Sequence, residues 1–105
     1  MCVAPQPPPQ TCSPKETRIT TDSSNQSYLY YENKFFPKIY ENKIVWTDYR
    51  NRNLDIYMYD ISTKKETRIT TNPSNQSFPS IYGNKIVWID ERNGKADIYM
   101  YELCT

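Results

Sequence analysis

The sequence has no histidine among its 105 residues. That excludes Ser-His-Asp and Cys-His catalysis, His-ligated zinc and the usual proton shuttle near neutral pH. Only two glycines are present. No glycine loop can cradle a phosphate, and asparagine must supply many of the turns. There is no G-x-S-x-G elbow and no C-x-x-C pair. Cys2 and Cys12 stand too far apart for a zinc knuckle. No apolar run approaches the roughly 20 residues of a membrane-spanning helix. Charge of either sign is not in excess: Lys plus Arg is 13, Asp plus Glu is 12, and the net charge is +1. Without a basic run or a long-range field, neither nucleic acid nor an anionic membrane is an expected partner.

What is present favours strands. Ten Tyr, two Trp and three Phe stand among Ile, Val and Thr, while Leu and Ala are scarce. Bulky and β-branched side chains pack well on a pleated surface. Residues 1–14 are rich in proline, which suits neither a helix nor a central strand, so an extended tail is expected there. The opening lacks the apolar core of a secretory signal.

An internal repeat dominates the rest. KETRITT begins at Lys15 and again at Lys65, and NQS begins at Asn25 and Asn75, both at a spacing of 50. IY-x-NKIVW begins at Ile39 and Ile81, and DIYMY at Asp55 and Asp97, both at a spacing of 42. Eight extra residues therefore lie in the first copy, between Ser27 and Ile39. YYENKFF, from Tyr30, echoes IYENKIV, from Ile39, as a local duplication of one strand and its turn. The sequence leaves open which version takes the inner-strand slot. The repeats divide the chain into roughly 15–64 and 65–105.

The period of 42 suits a blade of four antiparallel strands. Strands are expected at about 15–20, 28–31, 35–40, 43–48, 54–60, 65–70, 78–82, 85–90 and 96–102, with no helix. Asn93-Gly94 is the strongest turn signal. The first copy is read as having Arg52-Asn53 in its place and as looser there.

The KIVW strand, the D-x-R-N turn and the DIYMY strand resemble the TolB-type β-propeller repeat, over residues 15–103. The S-P-D-G turn usual before the KIVW-like strand is replaced by Ile81-Tyr82-Gly83-Asn84. The resemblance implies an all-β chain of two four-stranded propeller blades. It further implies a non-enzymatic binding or scaffolding module for protein or glycan, as in tandem repeats of prokaryotic, especially archaeal, cell-surface proteins. A second implication is a propeller piece of a larger enzyme, such as a peptidase, with its catalytic domain outside this chain. Each blade would be apolar on both faces, Tyr57 and Tyr59 opposing Ile56 and Met58. Two blades would then need a longer propeller or further copies of the chain. In that closure Lys15–Thr20 would serve as the outer strand the second copy lacks. Cys12 and Cys104 both align with Ser62, so closure would bring them together as a possible disulfide.

Few residues suggest chemistry. No catalytic, cofactor-binding or metal-binding set is expected. Oxygens of the clusters Asp48–Asp55 and Asp90–Asp97 suit calcium, but Arg and Lys sit among them and EF-hand spacing is missing. A hairpin whose carboxylates cap amides and pair with Arg fits them better. Trp46 and Trp88 share one strand slot and are read as packing residues rather than sugar platforms. Asn25 and Asn75 head glycosylation-type sequons.

Overall fold

The structure, a computed structural model, describes residues 14–20 and 34–104. Seven strands form two antiparallel sheets, and no helix occurs among the described residues. The first sheet has the order β1 (Lys34–Tyr40), β2 (Lys43–Asp48), β3 (Asp55–Asp60), β4 (Lys65–Arg68). The second has the order β5 (Gln76–Tyr82), β6 (Lys85–Asp90), β7 (Asp97–Glu102). Each sheet is a meander, as short apolar runs separated by tight turns require. The first blade has its four strands; the second has three among the described residues. The strand expected at 15–20 is not formed: the segment has no ladder, and Lys15–Arg18 is exposed. The strand expected at 28–31 lies outside the described residues.

The inner-strand slot of the first copy is filled by β1, which precedes the Glu41-Asn42 turn. Its sequence KFFPKIY matches QSFPSIY of β5 at the spacing of 42. Both strands carry the same irregularity. Register shifts between Phe35 and Lys38 in β1 and between Ser77 and Ser80 in β5. At the bulge, Phe36 and Phe78 have φ of 58° and 56°. A bulky residue rarely takes this left-handed conformation, and the following proline suits a bulge.

The turns also match. Glu41 (φ 51°) takes the place of Gly83 (φ 60°), and Arg52 (φ 71°) that of Gly94 (φ 86°). This corrects the expected pairing of Arg52-Asn53 with Asn93-Gly94 by one position. Asn51 and Asn93 are the true equivalents, since each donates to the following Asp and Tyr. Arg52 bears a left-handed penalty that glycine does not. Arg52→Gly is therefore expected to raise the unfolding free energy by about 0.5–1 kcal/mol, less than the full penalty because glycine also loosens the unfolded chain. Urea titration of the two chains checks this.

The core lies between the sheets. Val45, Ile56 and Met58 from the trailing face of the first blade meet Ile81, Ile86 and Trp88 from the leading face of the second. Ile69 joins them. After β4, the chain crosses from one blade to the other. Ile69 and Thr70 both donate backbone N–H to Ile56 O, at 2.8 and 3.3 Å. Thr70 Oγ1 accepts from Ile56 N at 2.9 Å and donates to Asp55 at 3.2 Å. Ile69 to Asn72 then line a groove on the second blade with Trp88 and Tyr99. Further bonds tie the blades at one end, from Gln76 N to Leu54 O (2.7 Å) and from Leu54 N to Asn75 Oδ1 (3.0 Å).

Candidate functional site

Two constellations stand out: a polar hub at the β2–β3 and β6–β7 hairpins, and an aromatic row along β1 and β5. The hub is built twice from the same residues. Asp48 and Asp90 end β2 and β6 and are fully buried. Each accepts from the indole two residues back, Trp46 Nε1 or Trp88 Nε1, at 2.9 Å. Each also accepts from the backbone and guanidinium of the arginine two residues on, Arg50 or Arg92. That guanidinium lies over a tyrosine ring, Arg50 on Tyr57 at 4.0 Å and Arg92 on Tyr99 at 4.1 Å. The buried indoles stack on the same tyrosines, with centroids 6.2 and 6.5 Å apart.

These groups satisfy one another, and that limits their chemistry. Trp46 and Trp88 are covered on both faces and offer no platform for a sugar. Among the described residues, no group of three or more His, Cys, Asp or Glu is placed to hold a metal. Asp55 accepts from Arg68, Thr70, Asn51 and Asn53. Among the described residues, its repeat partner Asp97 has Asn93 and Lys95 alone. Gln76 is fully buried, and its side-chain atoms have no partner among the described residues.

Burial disfavours the Asp90 charge, but bonds from Arg92 and Trp88 outweigh this and hold its pKa down to about 2. An unfolded aspartate titrates near 3.9. The bound carboxylate therefore stabilises the fold fully above that value, and the gain fades as pH falls from about 4 through 2. Arg92 is partly exposed, so solvent screening trims the full shift to about 1–2 kcal/mol. Urea midpoints compared between pH 6 and pH 2.5 should fall less in Asp90→Asn than in the parent.

The aromatic row is different, because it is open. The bulges turn Phe36 and Phe78 outward, and both rings are exposed. Their centroids are 4.6 Å apart across the two blades. Phe35 meets Phe36 edge-on at 5.1 Å. Further along, Tyr40 and Tyr82 approach at 4.9 Å. Glu41 beside Tyr40, then burial and Tyr82, push the Tyr40 phenol above its usual pKa. It stays a neutral hydroxyl donor at physiological pH. Four residue steps along the strand separate the two pairs, roughly 13 Å at extended rise. Exposed Ile39 and Lys38 lie between them in sequence. Sequence reasoning singled out neither Phe36 nor Phe78. The signal was the repeated F-P-x-I-Y at the spacing of 42.

Of the other residues marked in the sequence, Cys104 is an exposed free thiol, and Cys12 and Asn25 lie outside the described residues. Asn75 is half-buried at the start of β5, where its side-chain oxygen accepts from Leu54 N.

No family model and no curated protein matches the sequence. A solved structure of a protein designated TolB from Agrobacterium tumefaciens is similar, with a TM-score of 0.53 and 25% identity. The match covers 58% of this chain and 23% of that one. The chain thus spans about a quarter of the structure it matches. Together with the two stacked meanders, this makes the fold that of a TolB-like β-propeller fragment.

Proposed function

From that fold, we propose that the chain is a non-enzymatic propeller module that binds or scaffolds a protein or glycan at a cell surface. Its contact surface is the aromatic row of Phe36, Phe78, Tyr40 and Tyr82. One observation carries the reading: both copies hold a phenylalanine at positive φ so that two rings meet in solvent. A left-handed phenylalanine costs on the order of 1–2 kcal/mol, and exposing its ring forgoes burial. Strain held twice at one exposed spot points to use. Rigid aromatic rings suit sugar faces and apolar side chains, and they bind at low entropic cost. The hub, in contrast, engages its buried carboxylates with its own indoles and arginines rather than turning them to solvent.

The test probes immobilised glycan and peptide arrays with the parent chain and with the double variant Phe36→Ala, Phe78→Ala. Binding should weaken at least about tenfold, as loss of paired aromatic anchors predicts. Circular dichroism should be unchanged, since both rings are exposed. Equal binding by the variant would overturn the assignment of the row. A second reading takes the chain as a propeller piece of a larger enzyme, compatible with its span of 23% of the TolB structure. A hydrolase domain encoded in frame beside this segment would support it.

A further inference from the structure

The two copies of DIYMY have the same sequence and different surroundings. β3 is covered by β4 along its edge and by the second blade on its face. β7 has neither: its outer edge pairs with nothing among the described residues. Ile56 and Met58 are 0% and 7% exposed, but Ile98 and Met100 are 70% and 54% exposed. The partner of β3 is Lys65–Arg68, sequence KETR, and the same sequence recurs at Lys15–Arg18. We propose that Lys15–Thr20 of one chain docks on β7 of a second copy as its missing fourth strand.

Three observations support this occupant. First, Arg18–Thr20 already holds the shape of its counterpart. Arg18 Nε bonds Thr20 O at 2.7 Å, as Arg68 Nε bonds Thr70 O at 2.9 Å. Second, the segment already sits in the crossing position. Ile19 and Thr20 line a groove on the leading face of the first blade with Ile44 and Trp46, as Ile69 and Thr70 do against Trp88. In the second case the preceding four residues belong to the blade before. Here no preceding blade stands among the described residues, and Lys15–Arg18 is exposed. Third, the charges fit. Arg68 pairs with Asp55 and Glu66 with Arg50. Repeat equivalence sets Arg18 opposite Asp97 and Glu16 opposite Arg92. Neither Asp97 nor Arg92 has that partner among the described residues.

The register follows from β3 and β4, where Tyr57, Met58, Tyr59 and Asp60 face Arg68, Thr67, Glu66 and Lys65. On β7, Tyr99, Met100, Tyr101 and Glu102 would face Arg18, Thr17, Glu16 and Lys15. The chain cannot supply this strand to itself. Ile19 and Thr20 are seated on the leading face of the first blade, and both blades intervene before β7. The union is head to tail, so it propagates from chain to chain, into a ring where the rotation closes and a filament where it does not. It would bury Ile98 and Met100 as the internal joint buries Ile56 and Met58.

The experiment uses the full chain. Sedimentation equilibrium should give multiples of the chain mass; a monomer across about a hundredfold range of concentration would overturn the proposal. Thr17→Pro removes a backbone donor expected to bond Met100, because bonding alternates from the Ile69–Ile56 pair. Met100→Asp places a charge on the docking face. Each should weaken association at least about tenfold. Both positions are exposed, so the monomer fold should persist by circular dichroism. Unchanged association in both variants would overturn the proposal. A cysteine-free chain (Cys2→Ser, Cys12→Ser, Cys104→Ser) then carries Glu16→Cys with Tyr101→Cys, a facing pair within disulfide reach. Oxidation should yield covalent multimers. A bond formed within one chain, or equal cross-linking when Glu102→Cys replaces Tyr101→Cys, would contradict the register. These readouts do not depend on any ligand of the aromatic row.

Discussion

Truncating Ile56 to alanine is expected to lower the unfolding free energy by about 3–4 kcal/mol, and the same change at Ile98 by less than about 0.5 kcal/mol. The two isoleucines occupy one slot of one repeat. Ile56 is fully enclosed between the blades, among Val45, Ile81, Ile86 and Trp88. Removing its branches leaves a cavity that close-packed strands cannot collapse around. Ile98 faces solvent, so little contact is lost. Urea unfolding of each variant at a concentration where the chain is monomeric measures the contrast. Equal losses would mean that the inter-blade layer is not the core.

Asp55→Ala should cost about 2–4 kcal/mol, whereas Asp97→Ala should leave the unfolding midpoint nearly unchanged. Asp55 is fully buried and gathers Arg68, Thr70, Asn51 and Asn53. Deleting it takes the carboxylate from part-exposed Arg68 and leaves the buried Thr70 hydroxyl without its acceptor. Thr70 would also lose one of its holds on the chain crossing. Asp97 faces two side chains, and its Lys95 partner is largely exposed. Thermal unfolding monitored by circular dichroism checks both, and Asp55→Asn should fall between the parent and Asp55→Ala.

These contrasts show what the sequence carries and what it does not. The KIVW and DIYMY strands were legible because β-branched and aromatic runs lie between turn residues at a fixed spacing. The order of strands within each sheet followed from the short connections. Burial was not legible, since identical residues such as Met58 and Met100 differ only in what stands beside them. The bulge at Phe36 and Phe78 was missed because phenylalanine carries no sign of positive φ. The β4 strand was expected to run to Thr70, but it ends at Arg68, where the chain turns to the next blade. The slip of one position at Arg52 came from expecting glycine or asparagine where the fold tolerates arginine.

The seating of Thr70 on one blade and of its neighbours on the other has a consequence for cooperativity. Neither sheet can melt alone without tearing the chain out of the other, so heat should produce a single all-or-none transition with one baseline on each side. Amide deuterium uptake should be slowest at Ile56 and Ile69, the two nitrogens that hold the rivet shut.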